Sequence, residues 1–129
     1  MTTPDHLRYA ASHEWARRET DGTVTVGITH HAQEMLGDVV FLETPAAGRK
    51  VRQGEACGII ESVKAASDIH APVSGEIIAA NTALPDAPEQ INQDPYAAWM
   101  FRIKPDNLAE IDGLLNAAAY QKIADAEKN

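Results

Sequence analysis

The residue best placed to do chemistry is Lys64, within the stretch Ile59-Ile60-Glu61-Ser62-Val63-Lys64-Ala65-Ala66-Ser67-Asp68-Ile69-His70-Ala71-Pro72-Val73-Ser74-Gly75. Read as a β-hairpin, this stretch has Val63-Lys64-Ala65-Ala66 at its tip, Ser62 opposite Ser67 and Glu61 opposite Asp68, so Lys64 stands at the outermost point. Carboxylates facing each other across a hairpin cost roughly 0.2–1 kcal/mol on the usual cross-strand scale, so stability alone does not account for them. An acidic collar does make sense as a handle, by which a modifying enzyme finds this lysine and passes over Lys50, Lys104, Lys122 and Lys128. A turn lysine between acids also reads as a solvated charge cluster, and the residues alone leave both readings open.

Other side chains that carry chemistry form weaker patterns. Ser12-His13-Glu14 offers the residue types of a hydrolase triad. Adjacent residues of a strand point to alternate faces, however, and cannot form that constellation together. His13, His30, His31 and His70 show no zinc-ligand spacing and Cys57 stands alone, so solvated or core histidines are expected and a metal site is not. The lone Cys57 has no partner for an internal disulfide and reads as a small buried apolar residue, in a chain that either lives in a reducing compartment or needs no staple.

Strands must position these groups. Val24, Val26 and Ile28 alternate with Thr23, Thr25 and Gly27, and Asp21-Gly22 turns this strand back onto Glu14–Glu19. A short helix is expected from His30 to Leu36, capped by Thr29 and ended by Gly37. The apolar run Val39-Val40-Phe41-Leu42 reads as a strand covered on both faces, ended by Pro45 and Gly48. Ala56–Glu61 and Ser67–His70 flank the lysine tip, and Glu76–Ala80 follows Ser74-Gly75. Pro85, Pro88 and Pro95 make 81–98 a long surface loop. Trp99, Phe101 and Ile103 then form a strand whose aromatic face seals the core. Leu108, Ile111 and Leu115, then Tyr120 and Ile123 after a cap at Asn116, predict one broken helix or two short ones. The turn segments 48–54 and 73–75 hint at two similar β halves. Many short strands with Gly and Pro turns indicate a small sandwich or barrel-like sandwich with peripheral helices.

Composition limits the possible partners. With 129 residues, the chain fits one domain, 1–129, and one ordinary core. A net charge of −8 argues against nucleic acid or an anionic membrane, which call for clustered Lys and Arg, and favours basic partner surfaces. With 44% hydrophobic residues and a mean hydropathy of −0.30, the composition is that of a soluble globular protein. No apolar run has the length of a membrane span, and Met1-Thr2-Thr3-Pro4-Asp5-His6 lacks the pattern of a leader, so a cytoplasmic, bacterial protein is expected; a monomer is expected separately.

Glu61-Ser62-Val63-Lys64-Ala65, with Ser67-Asp68 and Ala71-Pro72-Val73-Ser74-Gly75, closely resembles the lipoyl-attachment motif of glycine cleavage H proteins. The resemblance extends to Ser12-His13-Glu14-Trp15, Val26-Gly27-Ile28-Thr29, Ala32-Gln33, Leu36-Gly37-Asp38-Val39-Val40-Phe41, Ile91-Asn92, Asp94-Pro95-Tyr96 and Trp99, in order from about Leu7 to Ile123. His30 departs from the family, which more often has an acidic residue there, and Met35 falls at a variable position.

The resemblance implies a mainly β fold, a barrel-sandwich hybrid like that of lipoyl domains, with short peripheral and C-terminal helices. It implies covalent (R)-lipoic acid on Lys64, with Glu61, Val63 and Ala65 recognised during lipoylation, and no catalysis by the chain itself. The implied partners are glycine decarboxylase, which loads an aminomethyl group onto the arm, aminomethyltransferase, which passes it to tetrahydrofolate, and dihydrolipoamide dehydrogenase, which reoxidises the arm. A lipoate ligase or a lipoyl/octanoyl transferase would attach the cofactor. In the family the loaded arm folds into a cleft whose matching residues here are Ser12, Glu14 and Asp68, and a carboxylate pair suits an ammonium. Two rivals keep the fold. A biotinyl carrier typically sets its lysine between methionines, whereas Val63 and Ala65 flank Lys64 here. An H-like protein that relays lipoyl groups to other acceptors has the same motif.

Overall fold

The computed structural model describes residues 3–127. Met1, Thr2 and Lys128, which entered the sequence reading, lie outside them. The strands in chain order are β1 (Arg8–Tyr9), β2 (Glu14–Arg18), β3 (Val24–Ile28), β4 (Val39–Glu43), β5 (Lys50–Val51), β6 (Ala56–Ser62), β7 (Ala66–His70), β8 (Gly75–Ala80) and β9 (Phe101–Pro105). Helix α1 (His30–Leu36) follows β3, α2 (Gln90–Gln93) precedes β9, and α3 (Ala117–Glu127) ends the described chain. Two antiparallel sheets result, one ordered β1-β2-β3-β9-β8-β5 and the other β4-β6-β7. Leu42, Ile60 and Ile69 from the small sheet and Val24, Val26, Ile77, Phe101 and Ile103 from the large one fill a common core. The expected mainly β architecture is present.

Local chemistry explains the first hairpin. The Asp21 carboxylate accepts from Thr23 N–H at 3.0 Å, and Gly22 takes a φ of +86°, closing the turn between β2 and β3. Period-two alternation then sends Ala16 to the inter-sheet core and Trp15 to a second cluster, where Tyr9 and Tyr120 stack with ring centroids 4.8 Å apart and α3 seals the sheet. Trp15 pairs with Gly27 across the hairpin, and a Cβ at Gly27 would sit 2.6 Å from the indole, so only glycine fits beneath that ring. The expected helix bounds hold: Thr29 Oγ1 accepts from Ala32 N–H at 3.1 Å, and Gly37, at φ +81°, donates its N–H to Gln33.

Three expectations need correction. Strand β4 is not covered on both faces: Val40 is 56% and Phe41 44% exposed, because β4 is an edge strand with an irregularity between Val39 and Phe41. The segment 81–98 is more than a surface loop. It contains a 3-10 turn at Leu84–Asp86 and α2, which bury Leu84 and Ile91 fully. Pro85 falls in the first turn of that helix, where its missing N–H costs nothing. Trp99 is not the start of the last strand. Met100 is the buried residue, and Trp99 is half-buried, with the Arg102 guanidinium 5.3 Å from its ring centroid. The expected pair of short helices is present, the first a 3-10 helix at Leu108–Gly113 and the second α3, although Leu115 leaves the helical pattern to bridge Tyr9. Asn116 does cap α3, accepting from Ala119 N–H at 2.8 Å.

Candidate functional site

Lys64 sits at the outer turn of the β6–β7 hairpin, as expected, but in a different register. Glu61 pairs with Ala66, Ile60 with Ser67 and Ile59 with Asp68. The tip is therefore Ser62-Val63-Lys64-Ala65, and Glu61 does not face Asp68. Ser62 decides this: its N–H donates to Ala65 O at 2.8 Å, and its Oγ accepts from Lys64 N–H at 3.2 Å and Ala65 N–H at 3.1 Å. A serine satisfying two turn amides starts the turn one residue before the sequence reading placed it. The cost of facing carboxylates disappears with the corrected register. Glu61 remains exposed beside the tip, opposite Phe41 of β4.

Two contacts hold the tip against the rest of the fold. Val63 N–H donates to Asp38 O at 3.1 Å, although the Val63 side chain is 73% exposed. The stem of Lys64 lies over Gly37: a Cβ built there would be 3.1 Å from Lys64 Cε. Lys64 is thus exposed while its methylenes rest on the C-terminal end of α1, the end of a helix that favours a cation.

A cleft of about 240 Å³ opens beside this turn, between α1 and the hairpin. Its buried surface is Glu14, Ile28, Ala32 and Ile60, and the more exposed His13, Met35, Leu36 and Ser67 line its sides. Ala65 and Ala66, the residues that follow Lys64, form part of its border. All three residues expected in an arm cleft, Ser12, Glu14 and Asp68, border this space. They are not equivalent. Ser12 donates to one oxygen of Glu14, whose other oxygen accepts from His70 N–H at 2.9 Å. Burial pushes the Glu14 carboxyl above its usual range, against the lowering effect of these hydrogen bonds. Asp68 is exposed, pairs with Ile59 on the hairpin face away from Ser67, and also borders a depression on that other side.

The sequence reading missed the apolar lining from Ile28, Met35, Leu36 and Ile60, as well as Gly37 beneath the lysine and His70 behind Glu14. Leu36 and Gly37 were legible as a helix end, but nothing local shows that this end lies under the hairpin turn. Cys57 is buried as expected, which pushes its thiol up to about 12.

Comparison with known proteins comes down on one family. The model of the glycine cleavage H-protein family matches residues 7–127. The glycine cleavage system H protein of Thiobacillus denitrificans is 60% identical over 127 residues, covering 98% of each chain. That of Azoarcus sp. is 62% identical over 125 residues, covering 96% of this chain and 98% of its own. Among solved structures, a glycine cleavage system H protein from Mycobacterium marinum superposes with a TM-score of 0.85 at 42% identity, over 92% of this chain and 96% of that one.

Proposed function

The chain belongs to the glycine cleavage H-protein family and is the carrier subunit of that system, and from that premise we propose that Lys64 is its lipoyl-attachment residue. The observation that carries this reading is an exposed lysine at a hairpin turn beside a cleft lined by apolar side chains and one buried carboxylate. A lipoyl group fits this setting. Its amide would form on an amine already facing solvent, and its hydrocarbon portion finds Ile28, Met35, Leu36 and Ile60 close to the turn. When bound, the group supplies a redox-active disulfide that accepts the aminomethyl unit of glycine.

The chain's own residues do the rest without catalysing a reaction. Ser62 sets the turn so that the Lys64 amine points outward for the attaching enzyme, a lipoate ligase or a lipoyl/octanoyl transferase, and Glu61, Val63 and Ala65 form the exposed surround that this enzyme reads. Tethering at this turn raises the local concentration of the carried group at each partner's active site. Those partners are glycine decarboxylase, aminomethyltransferase and dihydrolipoamide dehydrogenase. Ser12, Glu14 and Asp68 offer a cationic amine in the cleft polar partners of the right sign, and the apolar lining excludes water from it. The net charge of −8, one unit more negative once the lysine is acylated, suits docking on basic rims. The carrier works as one domain, 1–129, in monomeric form and in the cytoplasm. No helix among the described residues is long and apolar enough to cross a membrane.

Intact mass spectrometry with peptide mapping tests the assignment on protein made in lipoate-supplied cells. A single lipoyl increment on the peptide containing Lys64 is expected. An unmodified Lys64, or the increment on another lysine, would overturn the proposal, and a biotin increment would favour the rival carrier.

A further inference from the structure

Beside the cleft, which His13 also borders, the fold brings together three side chains that the carrier function does not use. His13 comes from the turn before β2, His31 from the first turn of α1 and Glu127 from the end of α3. One ligand atom of each lies within 4.8 Å of the other two. His13 Nε2 is 3.1 Å and His31 Nε2 3.9 Å from the same oxygen, Oε1 of Glu127. The two imidazole centroids are 5.0 Å apart.

His31 points to a ligand. Its side chain is only 7% exposed, and both ring nitrogens lack a hydrogen-bond partner among the described residues. A buried imidazole always has one N–H to place, and leaving it unmatched costs roughly 1–3 kcal/mol. The fold nonetheless directs Nε2 at a carboxylate and another imidazole. His13 is held in a strained backbone conformation, φ +80°, the only non-glycine residue with positive φ among those described. Its Nδ1 lies 2.7 Å from the Tyr120 hydroxyl, which in turn lies 2.7 Å from Thr29 Oγ1. If His13 donates Nδ1–H to Tyr120 and Tyr120 donates to Thr29, the Nε2 lone pair faces Glu127. A metal-ligating histidine needs this kind of outer partner to fix its tautomer.

We propose that His13, His31 and Glu127 form a binding site for a divalent transition cation of the zinc class. Two imidazole nitrogens and one carboxylate are ligands that such cations accept, with a water completing four-fold coordination. Bonds of about 2.0–2.2 Å at tetrahedral angles set ligand atoms about 3.4 Å apart, between the 3.1 and 3.9 Å separations already present. The two imidazole nitrogens, within 4.8 Å of each other, must close by up to about 1.4 Å, which side-chain rotation supplies. Glu127 is 40% exposed and provides the route in from solvent. The bound cation ties the end of α3 to α1 and to the turn that carries Ser12 and leads into β2 at Glu14, so it works as a structural clamp beside the cleft. The proposal does not depend on lipoylation of Lys64, and it departs from the sequence reading, which expected no metal site.

The test uses the untagged full chain, stripped of metal, with zinc chloride as the probe in calorimetry and cobalt(II) chloride in visible absorption. One-to-one zinc binding, a saturable rise in Tm and the absorption bands of tetrahedral cobalt are expected. His31→Phe removes one ligand and keeps the site apolar, and Glu127→Gln alters an exposed residue with little effect on folding. Each should weaken zinc binding at least about tenfold, whereas His30→Gln and His70→Gln should leave it unchanged. Circular dichroism of each variant establishes that it is folded. Absence of one-to-one binding to the parent chain would overturn the proposal, as would binding that folded Glu127→Gln retains in full or that His30→Gln or His70→Gln abolishes.

Discussion

The two ends of the β6–β7 hairpin follow opposite rules. At the outer end, Ser62–Ala65 is exposed or half-exposed and its turn is closed by hydrogen bonds between neighbouring residues. At the root, Cys57 and Ile69 are buried and His70 N–H is bonded to Glu14, 56 positions away in sequence. The outer end is free to present a reactive amine because the root supplies the rigidity. A carrier needs both on one element: a side chain that partners can reach and a base that does not move when they do.

Replacing the amine itself breaks this comparison most sharply. Lys64→Arg removes a nucleophilic amine from an exposed turn with little packing at stake, so stability should stay within about 0.5 kcal/mol. Lipoylation and glycine decarboxylation in a reconstituted system should both fall to background. Denaturant unfolding and intact mass measure the two halves, and retained turnover would remove Lys64 from its role.

The root has the opposite character, and Cys57 reports on it. Its thiol is pushed up to about 12 from an ordinary 9.0, chiefly by burial. Three pH units correspond to roughly a thousandfold less thiolate at pH 8 than in an unfolded chain. Alkylation by iodoacetamide should therefore be slower in the native protein by about that factor, and fast once the chain unfolds in denaturant. The sign for stability follows from the same shift. The folded state holds its proton more tightly, so this group's contribution is fully present below pH 9 and declines as the pH rises from 9 towards 12. Native alkylation as fast as unfolded would mean that the root opens readily.

Glu14→Ala tests the link between root and cleft. The change leaves His70 N–H without its acceptor and opens space beside Ile28 and Ile60, so a loss of about 1–3 kcal/mol is expected in urea unfolding. The same substitution should shorten the lifetime of the loaded carrier, followed by ammonia release. Unchanged lifetime with reduced stability would make Glu14 a fastener between sheets and nothing more.

How much was legible in the sequence follows the same division. The Asp21-Gly22 turn, the Thr29 cap and Gly37 stop, and the lysine tip each depend on residues a few positions apart, and local chemistry located them. The residues of the cleft do not. Glu14 meets His70, the stem of Lys64 meets Gly37, and His13 meets Tyr120 and Glu127, all through contacts between distant segments that no periodicity encodes. The exposure of Val40 and Phe41 escaped notice for a related reason. An apolar run looks the same in an edge strand as in a central one, and only sheet order tells them apart. Even at the tip, the observed register differs by one residue from the expected one because the serine hydroxyl, rather than the acidic pair, fixes the turn.

Ser62→Ala tests that last point and should produce the smallest effect. Loss of the Oγ acceptor leaves two turn amides, those of Lys64 and Ala65, to be satisfied by water, while Ser62 N–H keeps its bond to Ala65 O. Because the turn is largely exposed, a global loss of about 0.5–1.5 kcal/mol is the upper range expected. The clearer signal should be local: faster amide exchange at Lys64 and Ala65 than in the parent, with the β6–β7 ladder below unchanged. Lipoylation should slow only modestly, since a looser turn still exposes the amine. If instead the ladder re-registers so that Glu61 faces Asp68, seen as new cross-strand contacts in nuclear Overhauser spectra, then the hydroxyl alone separates the two registers.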